Sequence, residues 1–181
     1  FEASTEVTRG FLILGSVNST HHKTPVVYAR DIGTSSFYQV RINKIFLQAP
    51  GSGMSVVSQT DFLHPVEAAI ASTPILDSGT TCTYLNLGFR QAFLEAWEQL
   101  TDHPFGSILR ISEEQLSELP TIVLQLEGES SDNDILVAFP PTRYMTPWEG
   151  TYEFCLDFES GSGVLGNNFM AGHDVLHDLE N

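Results

Sequence analysis

The sequence predicts one mainly β domain with two short helices, and three observations carry that prediction. Most apolar residues fall in short runs or alternations closed by Gly, Pro, Asn, Asp and Ser, the pattern of strands and turns. Apolar residues recur at helical spacing in one stretch, and a capping pattern marks the start of a second helix. No internal repeat, low-complexity tract or interdomain linker breaks residues 1–181, so a single domain is the economical reading.

Gly10 to Val17 reads as a short apolar strand entering a polar turn at Asn18-Ser19-Thr20. From Phe37 to Leu47, Phe37, Gln39, Arg41 and Asn43 alternate with Tyr38, Val40 and Ile42, after which Ile45 and Leu47 continue the apolar side. Ala49-Pro50-Gly51-Ser52-Gly53 is a turn by composition. Leu87 to Leu100 is the first helix, with Phe89, Phe93, Trp97 and Leu100 on one face and Gln91, Glu95 and Glu98 on others. Ser112-Glu113-Glu114-Gln115 has the form of a capping box, and its short helix stops before Pro120. Thr121 to Leu126, Ile135 to Phe139 and Tyr152 to Phe158 read as strands, the first two joined by a polar, mobile surface loop from Glu127 to Asp134.

Composition bounds the function. A chain of 181 residues with 41% hydrophobic content can bury a real core. Its formal net charge of −15 argues against nucleic-acid binding, because phosphates would be repelled, and fits an acidic compartment that neutralises part of the excess. No stretch approaches the roughly 20 apolar residues of a membrane span. The chain begins at Phe1 without a visible signal peptide, which reads as a fragment or processed chain whose targeting information, and any membrane anchor, lies outside it. Cys82 and Cys155 are the only cysteines and leave open one disulfide or two buried thiols. Asn18 opens a glycosylation sequon, relevant if the chain enters the secretory pathway.

The segment that carries chemistry is Pro74-Ile75-Leu76-Asp77-Ser78-Gly79-Thr80-Thr81. Two apolar residues run into an acid that is followed at once by Ser, Gly and Thr. Asp-Ser-Gly alone is ordinary turn chemistry. It gains weight from a second element, Val164-Leu165-Gly166, which follows the flexible link Gly161-Ser162-Gly163.

In these two elements the sequence resembles the C-terminal lobe of pepsin-like aspartic peptidases, over nearly the whole chain and nearest in pattern to the beta-secretase and plant-type branch. Gly10-Phe11-Leu12-Ile13-Leu14-Gly15 resembles the family's entry into that lobe. Phe37-Tyr38-Gln39-Val40, Leu119-Pro120-Thr121-Ile122 and Gly166 through Asp178 resemble further family segments in the same order. The resemblance implies a double-psi β-barrel-like lobe of a bilobal endopeptidase that uses no cofactor and no metal. It implies Asp77 as a catalytic aspartate, with Ser78, Gly79 and Thr80 supporting its loop. Ser78 would tie the catalytic loops of the two lobes together, Gly79 would offer its amide, and Thr80 would hydrogen-bond the outer carboxylate oxygen. Thr81 would line the cleft near substrate, and Val164, Leu165 and Gly166 would pack beside the catalytic loop. Pro140 to Tyr144 resembles a loop bordering the cleft, which makes Tyr144 a candidate substrate contact. The chemistry asks for two carboxylates: like charges that close cannot both ionise, so the pair shares a proton and supplies both base and acid.

The match also has gaps. A second apolar-apolar-Asp-[Thr/Ser]-Gly is missing, since Asp31-Ile32-Gly33-Thr34 has Ile where the hydroxyl belongs, and no flap sequence is visible. The family's usual final strand is not reached. By itself the chain is therefore expected to be inactive, with the N-terminal lobe of the same precursor as partner and peptides or proteins as substrates. Cys155 lies where the family places one half of a disulfide, its usual partner position holds no cysteine, and Cys82 follows the catalytic loop instead. The implied location is the secretory route, an acidic lysosome- or vacuole-like compartment, or outside the cell. Two other readings stand beside this one: an inactive homologue binding proteins or glycans through the old cleft, and two copies of the lobe paired about a twofold axis. His173 and His177 have the spacing of metal ligands but read better as part of a strand without a third ligand, and His21-His22 reads as solvated.

Overall fold

A computed structural model describes residues 25–33, 37–50, 63–106, 108–130 and 133–177. The chain divides into two units, one of which is Val27–His173; of the other, Pro25, Val26 and Asp174–His177 are among the described residues. The predicted strand at Gly10–Val17, the Asn18 sequon, His21-His22, Thr34, the Gly51–Gly53 turn and Asp178 lie outside the described residues. Among the described residues no helix is long and apolar enough to cross a membrane.

The unit 27–173 is mainly β with a few short helices. Its first sheet is antiparallel, in the order β2 (Leu63–Pro65), β1 (Ile42–Gln48), β5 (Thr121–Leu126), β6 (Ile135–Phe139). In β1 the pairing partner steps from Leu126 at Ile42 to Gln125 at Lys44, so two residues advance against one. This bulge moves the inward parity from Val40 and Ile42 to Ile45 and Leu47. Phe46 turns to the other face, where it joins Leu63 and Val123 in a small second cluster backed by Leu136. The loop after β5 is tied at both ends: Glu127 accepts from Arg30 and Arg41, while the Asp134 carboxylate accepts from Asn43, Gln125 and the Gly128 amide.

The second sheet has the order β3 (Ile75–Leu76), β10 (Val164–Leu165), β4 (Thr83–Asn86), β9 (Leu156–Glu159). Here β3 and β10 are parallel, β10 and β4 antiparallel, and β4 and β9 parallel again. The sequence predicts one strand through Phe37–Leu47, and the structure divides its partners between sheets. The Val40 amide donates to Pro74, Ile42 exchanges both bonds with Ser72, and the Leu76 amide donates to Tyr38, whereas residues from Ile42 onward pair with β5. One run of chain thus links the two sheets. The strand predicted at Tyr152–Phe158 is likewise two: β8 (Thr151–Phe154) forms a hairpin with β7 (Met145–Trp148), and β9 enters the second sheet after a break at Cys155.

The helical stretch at Leu87–Leu100 is a 3₁₀ turn, Leu87–Phe89, continued by α1 (Arg90–Glu98). Asn86 caps it through the Gly88 amide at 2.7 Å. Phe89, Phe93 and Trp97 point into the core, as the spacing predicts. The capping box forms in both directions, with Ser112 N–H to Gln115 Oε1 at 2.9 Å and Gln115 N–H to Ser112 Oγ at 3.4 Å. Its helix is a 3₁₀ segment, Glu114–Glu118. Two single helical turns go beyond the two predicted helices: α2 (Pro141–Tyr144) and α3 (Asn167–Met170). After α3 the described residues through His177 form no strand, which corrects the reading of His173 and His177.

The core is an aromatic cluster around Trp97, which meets Phe105, Phe154 and Tyr144 edge-on. Tyr144 corrects the sequence reading. It is 0% exposed and its hydroxyl donates to the Pro120 carbonyl at 2.6 Å, so it braces the core and does not border a cleft. Burial pushes its pKa well above the ordinary tyrosine value. Tyr144→Phe leaves the buried Pro120 carbonyl without its donor and is expected to lower stability by about 1–3 kcal/mol. Urea denaturation would read this as a lower midpoint at unchanged slope.

Candidate active site

The Ile75–Leu76 strand is two residues long, yet it is held on both sides. The Leu76 amide donates to Tyr38 at 2.9 Å, and in the parallel register Ile75 faces Val164 while Leu76 faces Leu165. The Ile75 amide donates to Gly163 and the Asp77 amide to Leu165 at 3.1 Å, which fixes the backbone where the acid leaves the sheet. The chain then turns, closing a Thr80 N–H to Asp77 C=O bond at 3.2 Å across Ser78 and Gly79.

Both oxygens of Asp77 are engaged within this turn. Oδ1 accepts the Gly79 amide at 2.9 Å, and Oδ2 accepts the Thr80 hydroxyl at 2.6 Å. The Thr80 hydroxyl, then the Gly79 amide, stabilise the anion and hold the Asp77 pKa below the usual aspartate value, against a smaller opposing effect of burial. Gly79 is suited to this: a Cβ there would sit 3.1 Å from Asp77 Oδ1. At Asp31, by comparison, the Gly33 and Gln39 amides both donate to one carboxylate oxygen.

The loop rests on Gly166. A Cβ at that position would lie 2.2 Å from the Cys82 carbonyl oxygen and 2.8 Å from that of Thr80, so only glycine lets the strand end pass beneath the loop. Immediately after it, the Asn167 amide donates to the Thr80 carbonyl at 2.7 Å and the Asn168 amide to that of Thr81 at 3.2 Å. The Asn168 side chain accepts the Thr83 hydroxyl at 2.8 Å and donates to the carbonyls of Cys155, at 2.8 Å, and Arg143, at 3.3 Å. The fully buried Thr83 hydroxyl in turn accepts the Gly166 amide at 3.3 Å. Sequence reasoning missed Thr83, Asn167 and Asn168. The one local signal is the Gly-Asn-Asn run, a composition typical of turns and helix starts.

Most of the residues singled out in the sequence meet here. Asp77 and Thr80 are half-buried, while Ser78, Gly79 and Thr81 are exposed on the turn. Val164 is half-buried, and Leu165 and Gly166 are buried against the loop. Cys82 and Cys155 are joined as a disulfide, which settles the alternative the sequence left open and pins the residue directly after Thr81. The Thr83 amide adds a bond to the Cys155 carbonyl at 3.1 Å. Tyr144 is not part of the site. Among the described residues no cluster of three or more His, Cys, Asp or Glu is arranged to hold a metal ion. A lone ionised carboxylate at the surface can accept a proton from water, but a reaction that also needs an acid requires a second group.

No known family model matches the chain, and no curated protein matches it.

Gly166→Ala is expected to destabilise the fold by about 3 kcal/mol or more, because the clash is with backbone carbonyls that cannot step aside. Chemical denaturation would measure it. Thr80→Val removes the largest influence holding Asp77 ionised, so the carboxyl should titrate at higher pH, followed by the NMR shift of its carboxyl carbon. A depressed carboxyl contributes stability that is present above the unfolded-state pKa and lost as pH falls through the folded-state pKa. That acid-side loss should shrink in the variant.

Proposed function

We propose that this chain is the C-terminal lobe of a pepsin-like aspartic endopeptidase, with Asp77 as one of its two catalytic aspartates. The observation that carries the reading is the Asp77 carboxylate, held through both oxygens by Gly79 and Thr80 on a turn that leaves β3. Beneath that turn, Ile75-Leu76 pairs in parallel with Val164-Leu165, so the two segments that resemble the family's elements are neighbours.

In this reading an N-terminal lobe supplies the second aspartate and the flap, and the paired carboxylates share one proton. A water between them attacks the scissile carbonyl carbon, giving up a proton to the ionised member. The other carboxyl protonates the oxygen of the tetrahedral intermediate. The C–N bond then breaks as the amine takes a proton from the pair. The hydrogen bonds from Thr80 and Gly79 favour the state in which Asp77 is the anion and the shared proton lies on its partner, although the pair titrates as a unit. Exposed Ser78 and Thr81 stand on the same turn, Ser78 to bond the partner loop and Thr81 to meet substrate. The substrate class is peptides and proteins, no cofactor is used, and the setting is an acidic compartment on the secretory route or the extracellular space.

The test is peptide cleavage by the two-lobed protein from about pH 3 to pH 7, spanning the titration of a carboxylate pair. Pepstatin-sensitive activity with an acid optimum is expected, with Asp77→Asn reducing it at least about a thousandfold. A folded two-lobed protein that cleaves nothing across this range would instead mark an inactive, binding homologue.

A further inference from the structure

The Asp77 turn is anchored unequally. At its entry the backbone is locked by β3, through the Leu76 and Asp77 amides. Ser78, Gly79 and Thr81 are exposed, so packing does little to hold the turn itself. Its exit depends on what meets Thr80 through Thr83. The disulfide at Cys82 restrains how far this exit can move from Cys155, but a bridge with rotatable bonds does not fix its orientation. Asn168 does. Its backbone amide holds the Thr81 carbonyl, its side-chain oxygen takes the Thr83 hydroxyl, and its side-chain nitrogen spans the Cys155 and Arg143 carbonyls.

This arrangement uses the full polarity of a carboxamide, one acceptor towards a hydroxyl and two donors towards carbonyls. Asp would turn an oxygen towards two carbonyl oxygens, and Leu would remove one acceptor and two donors at once. The Thr83 hydroxyl carries the connection one step further, since it also receives the amide of Gly166, the residue on which the loop rests. Orientation set at Asn168 therefore reaches Thr80, three residues before Thr83, whose hydroxyl is bound to Asp77.

We propose that Asn168, acting through Thr83, is the positioning residue for Asp77, setting the loop geometry in which Thr80 and Gly79 can both reach its carboxylate. The positioning role stands on the geometry alone; its catalytic consequence rests on the peptidase reading.

Two measurements test it on Asn168→Ala, Thr83→Val and Thr83→Ser. In the 181-residue chain, the Asp77 carboxyl is titrated by NMR. In the two-lobed protein, kcat and KM are measured on a peptide. Asn168→Ala and Thr83→Val are expected to move the Asp77 titration upward and to lower kcat roughly ten- to hundredfold with KM little changed. Thr83→Ser, which keeps the hydroxyl, should behave as the unaltered protein. Folded Asn168→Ala and Thr83→Val proteins with unaltered titration and kcat would overturn the proposal. So would equal shifts in Thr83→Ser and Thr83→Val, which would assign the effect to packing. If Asn168→Ala does not fold, the contrast between the two Thr83 variants decides. If the unaltered two-lobed protein cleaves no peptide, the peptidase reading falls, while the Asp77 titration still decides the positioning role.

Discussion

The parallel pairing of Ile75–Leu76 with Val164–Leu165 is the constraint on which the rest of this structure depends. Two-residue strands have little stability of their own, and these are far apart in the chain, at Ile75–Leu76 and Val164–Leu165. Their register nevertheless determines where Asp77 leaves the sheet, because its amide is already committed to Leu165. It also brings Gly166 beneath the turn at a distance no other residue tolerates. A slip of one residue would present the opposite face of each strand and put a side chain where Gly166 now passes. The short strands are kept in place by their surroundings: Tyr38–Val40 on one side, β4 on the other, and the core below.

That core explains why such a small pairing can be held accurately. Trp97 and its aromatic neighbours fill the space between the α1 helix and the β8 and β9 strands, and Tyr144 ties α2 to Pro120 at the start of β5. The run from Tyr38 to Gln48 passes from one sheet to the other, so the first sheet, with its long ladders, braces the second. Several polar groups near the turn serve one another. Thr83 is buried and Asn168 half-buried, and each finds its partners in the other and in nearby backbone.

Much of this was legible in the sequence, for identifiable reasons. The strands Thr121–Leu126 and Ile135–Phe139 have the predicted limits because Pro120 and a polar loop punctuate them, and the Ser112–Gln115 capping box is local chemistry that forms as written. The Asp77 turn was visible because Asp-Ser-Gly-Thr encodes its own hydrogen bonds. What was hidden depends on distant partners. The bulge in β1 left a change of parity in the sequence but not its cause. The break at Cys155 falls inside a continuous strand-like run, because the chain changes partners there without any breaker residue. Single-turn helices such as α2 and α3 are too short to show a period. Tyr144 was misread because the resemblance of Pro140 to Tyr144 to a cleft-bordering loop does not fix which way its ring turns, and the fold turns it inward. Asn168 carried only the general turn signal of Gly-Asn-Asn, since its meaning lies in residues 143, 155 and 83.

The Cys82–Cys155 bridge closes a covalent ring around α1, β5 and β6, while β1, β3 and β10 lie outside it. A single backbone cut anywhere within that ring, for instance in the exposed stretch at Glu129 and Ser130, cannot separate the two pieces. They stay joined beside the Asp77 turn. A nicked molecule would keep both halves of its framework at full local concentration.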